Sequence, residues 1–230
     1  INLRTDKFNT QPYAGISGSY GSFNTHKATI GAGTGIMHDH WAFDMRLSSI
    51  GSDGYIERAA TKLQSFYLQG AYYSDNTSVR LIAFGGKEQT YHAWNYATKE
   101  EMELYGRRYN SCGYMFTDST GTDHYYDDQT DNYTQTNLQL LIDHSFTESL
   151  NLNVGLHYTK GDGYYQEYKS GRKFKEYALP TFFIDGQEVK KSDLVRKKAM
   201  DNHFGGAVFA LTFNNDKVTA VAGGGANRYY

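Results

Sequence analysis

The sequence predicts an all-β protein, an antiparallel transmembrane β-barrel segment of about nine long strands with long connections at one rim. Residues 132–160, NYTQTNLQLLIDHSFTESLNLNVGLHYTK, carry that prediction best, because they read as two strands joined by a tight turn. In the first strand Thr136, Leu138, Leu140 and Ile142 fall on one face and Gln135, Asn137, Gln139 and Asp143 on the other, with Leu141 the exception. In the second, Leu150, Leu152, Val154, Leu156 and Tyr158 alternate with Asn151, Asn153, Gly155, His157 and Thr159. Each runs for about a dozen residues, against about five or six in an ordinary globular strand and roughly 9–11 in a tilted bilayer crossing. The apolar face would meet lipid and the amide face a wet interior.

Composition and turn spacing are the other two observations. The 230 residues include 21 Tyr and 24 Gly but only 2 Pro, a strand-rich and turn-rich profile with rings available for aromatic girdles at the lipid interfaces. By itself that composition fits a Tyr-rich soluble β-sandwich equally well. Hydrophobic content of 39% and the lack of a long apolar run exclude a helical membrane protein. A net charge of -2 and the lack of a basic stripe argue against nucleic acid as a partner, and the cluster Lys190, Lys191, Arg196, Lys197 and Lys198 reads as a solvated loop or helix face. Cys112 is the only cysteine, so an internal disulfide framework is excluded. No signal peptide opens the chain; the expectation is a cleaved leader or a piece of something longer.

Taken in order, PYAGISGSYGSFN and HKATIGAGTGIM read as glycine-rich strands joined at Asn24 and Thr25, with Ala28, Ile30, Ala32, Thr34 and Ile36 on the apolar face. The GAGTG within the second keeps strand periodicity and opens no helix, so it fails as a dinucleotide loop. A turn at His38 and Asp39 precedes HWAFDMRLSSIG, where Trp41, Phe43, Met45 and Leu47 oppose Ala42, Asp44, Arg46 and Ser48. KLQSFYLQGAYYS follows with Phe66, Leu68 and Tyr72 on one face; after a turn at Asp75 to Thr77, SVRLIAFGGKE puts Val79, Leu81 and Ala83 toward lipid and Ser78 and Arg80 inside. The pattern then stops for roughly forty residues, a length that marks a functional connection. Within it Thr98 and Glu101 form a capping box and Gly106 closes a short helix. A second long connection follows the 132–160 hairpin, with Ser192 expected to cap another short helix. DNHFGGAVFALTFN and KVTAVAGGGANRY, joined at Asn214 to Asp216, end the chain.

Short turns at His38, Asp75, Thr147 and Asn214 thus alternate with longer connections on the opposite side, the asymmetry of an outer-membrane barrel. Bacterial single-chain barrels have even strand numbers, so about nine strands are expected to be part of a larger wall.

Specific strings then become recognisable: INLRTDKFN, YGSFNTHKATIGAGTG, RLSSIGSDGYIERA, GKEQTYHAWN, YGRRYN, DNYTQTNLQL, HYTKGDGYYQEYK and SDLVRKKAMDNHFGG. As an ordered set they resemble the first part of the barrel in TonB-dependent outer-membrane receptors, in particular those of the Bacteroidetes type. The resemblance implies that residues 1–10 are the end of a plug domain and its linker, and that 11–230 are the N-terminal portion of a barrel of 22 strands. It further implies a bacterial outer-membrane location and uptake of a scarce nutrient, an iron complex such as a ferric siderophore, or cobalamin. TonB would be engaged through an N-terminal part that this sequence does not include. No covalent chemistry and no cofactor are implied. The alternative is a small self-contained outer-membrane barrel with an adhesion, structural or hydrolase role; neither a GxSxG elbow nor an HExxH helix occurs for the last.

The candidate ligand contacts are Tyr91, His92, Trp94, Asn95 and Tyr96, whose rings and amides can stack on and hydrogen-bond a bulky ligand at a barrel mouth. The same rings would also serve loop packing or an interface belt. Arg107, Arg108 and Tyr109 could attract an anionic siderophore, or simply be solvated. Leu138, Leu140, Ile142, Leu150, Leu152, Val154 and Leu156 are the expected contacts with outer-membrane lipid. Asp118, Asp123, Asp127, Asp128 and Asp131 crowd one loop without EF-hand spacing, and His38 and His40 lack a third convergent ligand, so no metal site is assigned.

Overall fold

A computed structural model describes residues 9–230. The expected plug end at 1–10 therefore lies outside the described residues, apart from Asn9 and Thr10. The elements in order are β1 (Tyr13–Gly21), β2 (Thr25–Met37), β3 (Trp41–Ser52), β4 (Thr61–Tyr73), β5 (Thr77–Tyr91), α1 (Lys99–Tyr105), β6 (Tyr114–Thr117), β7 (Asp123–Tyr125), β8 (Thr130–Thr147), β9 (Leu150–Lys173), β10 (Phe182–Ile184), β11 (Gln187–Val189), β12 (Lys191–Asn214) and β13 (Thr219–Tyr229). Nine of them make one antiparallel sheet in the order β1-β2-β3-β4-β5-β8-β9-β12-β13, each long strand paired with the next along the chain. The remaining four strands form two small hairpins, β6 with β7 and β10 with β11. β1 and β13 are the edges, so the sheet is open rather than closed on itself.

Register fixes the faces. One row runs Phe43–Gly70–Leu81–Leu140–Leu156–Ala207 across six strands. The neighbouring rows, Trp41–Tyr72–Val79–Ile142–Val154–Phe209 and Met45–Leu68–Ala83–Leu138–Tyr158, are apolar too. Among the described residues nothing covers this face. Leu81 is 58% exposed, Phe209 53% and Leu68 47%. A folded globular monomer of this mass would expose about 10,600 Å², whereas this chain exposes 15,810 Å². The sheet is thus a single layer, and the sandwich reading fails because no second layer among the described residues meets the apolar side. On the opposite face the register places Asp44, Gln69, Ile82, Gln139 and His157 in one row. Leu141, which breaks the alternation in the sequence, joins that face beside Arg80 and Gly155. There Asp143 accepts hydrogen bonds from Arg80 at 2.7 Å, Ser78 at 3.0 Å and Asn153 at 2.5 Å, so its charge is paired within the sheet.

Three details correct the sequence reading. Ser192 caps no helix: residues 191–214 are one strand, because its charged start finds partners on β9. Arg196 pairs with Glu167, and Asp193 accepts from Tyr168 at 2.5 Å and Ser170 at 2.9 Å. The cluster around Arg196, Lys197 and Lys198 is accordingly strand rather than loop or helix, and β9 continues to Lys173 instead of stopping near Lys160. Ile36 leaves the apolar face of β2, because a bulge at Thr34 and Gly35 brings it opposite Ala42 while Ile30 stays opposite Leu47. Gly35 sits at φ +64°, and a Cβ there would lie 2.7 Å from the backbone of residues 10–12, so this bulge needs glycine. The capping box does form: Thr98 accepts from the Glu101 amide and Glu101 accepts from the Thr98 amide, opening α1, which Gly106 closes.

Candidate functional site

The tight turns β2–β3, β4–β5, β8–β9 and β12–β13 lie at one rim, and the connections 53–60, 92–129 and 174–190 at the other, beside the short β1–β2 turn. The candidate ligand residues belong to the second rim. What holds their loop is Asn110, which is 1% exposed. Its side-chain amide donates to the carbonyls of Glu57 at 2.9 Å and His92 at 3.0 Å, and its side-chain oxygen accepts from the Cys112 amide at 3.0 Å. One side chain therefore ties the β3–β4 connection to both ends of a loop fold. Arg58 donates to the Asn110 carbonyl and lies 3.4 Å from the Tyr125 ring centroid, clamping the same knot from the other side. Gln129 closes the loop onto β9, its carbonyl accepting from the His92 amide at 2.8 Å and its side chain from the Tyr168 amide at 2.8 Å.

On that foundation the eight candidates separate. The Tyr91 hydroxyl donates to the carbonyls of Tyr126 at 2.8 Å and Cys112 at 3.4 Å, a fastening inside the loop. Asn95 donates to Ser111 at 3.0 Å, and Tyr96 stands 98% exposed. Arg108 donates to the Tyr55 carbonyl at 2.8 Å and lies 5.6 Å from the Phe23 ring, so it anchors one loop to another. Tyr109 stacks on Tyr105 at 4.6 Å, and Arg107 points to solvent. His92 and Trp94 come together, their ring centroids 3.6 Å apart, with the Tyr165 ring edge-on to Trp94 at 5.7 Å. Lys198 lies 5.5 Å from the Tyr165 ring. Trp94 is 47% exposed and offers an aromatic surface backed by the buried His92 imidazole and met by Tyr165, whose ring lies beside Lys198. Tyr165 is not singled out by the sequence, and Lys198 reads there only as part of a solvated cluster; the cross-strand register of β9 and β12 brings them together here. Such a platform can stack on a planar ligand and favour an anionic one.

His92 is buried, and neither ring nitrogen has a hydrogen-bond partner among the described residues. Burial pushes its pKa below the ordinary 6.5, against the pull of Asp131 and Glu167. The native ring is therefore neutral where an unfolded one would take up a proton. Below 6.5 the open state binds more protons, so the loop's stability is fully present above that value and falls as pH drops toward the lower native pKa. Proteolytic nicking within 92–129 should accordingly quicken as pH is lowered from about 7.5 to about 5, and His92→Phe should flatten that dependence. A pH profile of nicking identical in the two proteins would show that His92 does not carry it.

Of the loop aspartates, Asp118 serves turn chemistry. Asp118 accepts from the amides of Thr120 at 2.8 Å and Thr122 at 3.0 Å and faces the His124 ring at 2.8 Å, closing the β6–β7 hairpin. The Thr120 hydroxyl and the His124 ring, with these amides, hold its carboxyl well below the usual carboxylate range. Among the described residues no three His, Cys, Asp or Glu side chains stand close enough to share a cation.

No protein-family model matches the sequence, nor does any curated protein. The fold is similar to that of the ferric-catecholate import receptor Fiu of E. coli K12 in two crystal structures. The open form matches with a TM-score of 0.61 and 12% identity over 96% of this chain and 35% of that one. For the closed form the TM-score is 0.58 and the identity 10%, over 96% and 32%. The chain spans about a third of that receptor's length, and at such identity the likeness is one of fold alone.

Proposed function

We propose that the chain is the N-terminal part of the barrel of a TonB-dependent outer-membrane receptor, of the Bacteroidetes type its strings resemble, taking up a scarce nutrient. The carrying observation is the uncovered apolar face running across the sheet opposite a polar one, an arrangement stable only where lipid replaces water on one side. The likeness to a ferric-catecholate receptor favours an iron complex as cargo over cobalamin. In this reading Leu138, Leu140, Ile142, Leu150, Leu152, Val154 and Leu156 meet lipid. The His92–Trp94–Tyr165 platform meets the ligand, with Lys198 favouring its negative charge. Tyr91, Asn95 and Arg108 hold the loops, and Tyr96, Arg107 and Tyr109 are available to an arriving cargo. The receptor captures and passes its ligand and catalyses no covalent step.

The test uses the full-length receptor in a host lacking other iron-complex receptors. Uptake of a ferric catecholate should require TonB, and Trp94→Ala should weaken binding about ten-fold, or ~1.4 kcal/mol. Unchanged affinity in the variant would remove the platform from the site; uptake independent of TonB would remove the transport reading.

A further inference from the structure

On the long-loop side, β12 runs on without a second neighbour. It pairs with β9 from Lys191 to Phe213, whereas β13 pairs with it only from Phe204 to Asn214. The last bonds across that shorter ladder are the two that His203 and Tyr230 exchange, at 3.1 and 2.9 Å. In an antiparallel ladder the residues that turn their amide and carbonyl to a given neighbour alternate. Continuing from His203, the backbone groups of Asp201, Ala199, Lys197 and Val195 face the side that β13 leaves empty, and those of Asn202, Met200, Lys198 and Arg196 face β9. Those four residues present their amides and carbonyls in register along about 20 Å of strand, and no second strand among the described residues meets them. The run stops at Asp193, where a bulge shifts the pairing with β9. The edges at β1 and β13 lie alongside the apolar rows, but this one begins four residues beyond Gly205, which closes the row of Leu138 and Tyr158.

Charge decides what can dock there. Over residues 191–202 β12 carries four cations, Lys191, Arg196, Lys197 and Lys198, against Asp193 and Asp201. Over residues 160–173 its partner β9 carries four more, against Asp162 and Glu167. This excess stands in a chain whose net charge is -2. Most of these carboxylates are already engaged: Asp201 with Lys160, Glu167 with Arg196, and Asp193 with the Tyr168 and Ser170 hydroxyls. Among the described residues Lys197 and Lys198 meet rings instead, Lys197 at 3.3 Å from the Tyr164 centroid and Lys198 at 5.5 Å from that of Tyr165. Being consecutive, the two lysines flank the edge on its opposite faces. Lysines on a bare edge keep indiscriminate strands from adding to it, and the same lysines favour a strand rich in carboxylates. A second copy would bring the same excess of cations.

We propose that the free edge of β12 at residues 195–201 binds an extended, acidic segment of another protein, which adds to the sheet as one further strand. Main-chain bonds hold the segment, and the lysines on the two faces select its carboxylates. The inference goes beyond nutrient uptake, and it rests on the barrel reading only in placing the edge outside the apolar band.

The experiment uses the full-length receptor in detergent and a fluorescein-labelled peptide of four Glu-Thr repeats, compared with a Lys-Thr peptide of the same length and with the Glu-Thr peptide N-methylated throughout. Fluorescence anisotropy should show the acidic peptide binding at least about ten-fold more tightly than the basic one. N-methylation removes the peptide's donors and should abolish binding. Ala199→Pro deletes one donor on the open side while sparing the ladder with β9, and should weaken binding about ten-fold. Lys197→Gln keeps the backbone and should weaken it about five-fold. Residue-resolved hydrogen exchange gives the sharper readout. The acidic peptide should slow the amides of Val195, Lys197, Ala199 and Asp201 and leave those of Arg196, Lys198 and Met200 as they were, an alternation that adhesion to a basic surface does not produce. Equal binding of the acidic peptide and either comparison peptide overturns the proposal. So does slow exchange at those four amides before any peptide is added, since the receptor's own chain or a second copy would then fill the edge. A receptor that shows the alternation yet is recovered in the soluble fraction would support the edge and sink the barrel reading, whereas a membrane-inserted receptor that binds none of the peptides would sink this proposal alone.

Discussion

Leu140→Arg is expected to destabilise the assembled barrel by about 2–4 kcal/mol, the cost of arginine on the lipid side near the bilayer midplane. Leu140 sits between Leu81 and Leu156 in a row that reaches from Phe43 to Ala207, with a further apolar row on each side. A guanidinium there has no carboxylate to meet and must bend past Leu138 or Ile142 to reach a headgroup. Gln139→Arg, one residue away, points to the polar side between Ile82 and His157 and should lose less than Leu140→Arg, because that side already carries polar and charged groups such as Asp44, Arg80 and Asp143. Urea unfolding of the complete receptor in lipid vesicles measures both. Equal losses would mean that the two faces are not differently solvated, and the membrane placement would fall with them.

Asn110→Ala is expected to open the 92–129 loop without unfolding the sheet. The substitution strands the Glu57 and His92 carbonyls and the Cys112 amide in a site where Asn110 itself is 1% exposed. Each buried polar group left unmatched costs about 1–3 kcal/mol, so local opening should be favoured by about 3 kcal/mol, roughly 150-fold. The strands beneath keep their own ladder, and the opening is local. Limited proteolysis of the receptor should cut within the loop at least about a hundred-fold faster, while the folded band on gels stays in place. Asn110→Asp keeps the acceptor for Cys112 and loses both donors, and should fall between. If the alanine variant resists protease like the parent, the knot is not what holds the rim.

Much of the fold could be read from the sequence because strand periodicity is local. Leu138, Leu140 and Ile142 alternate with amides within a single stretch, and the nine strands so read are the nine of the sheet. The failures came where distant partners decide. SDLVRKKAM looks like the start of a helix until Glu167 and Tyr168 on β9 are placed opposite it. Ile36 keeps the alternation in sequence yet changes face, because Gly35 folds against residues 10–12. At the candidate site, ring content drew attention to Tyr91, but its hydroxyl holds two loop carbonyls. Asn110 gave no signal at all, since Glu57 and His92 are 53 and 18 residues away. The Thr98 cap was legible for the opposite reason: its partner is three residues on.

β9 and β12 each run for 24 residues and pair almost throughout, while β1 and β2 meet in a turn of three residues, 22–24. A crossing uses roughly 9–11 residues, so the paired stretch beyond it rises roughly 40 Å along the strand at about 3.3 Å per residue. The rim of this sheet is therefore lopsided, a tall stiff blade toward one end and a low sill at the other. On the proposed reading, cargo arriving over the sill would meet the Trp94 platform with the blade beyond it.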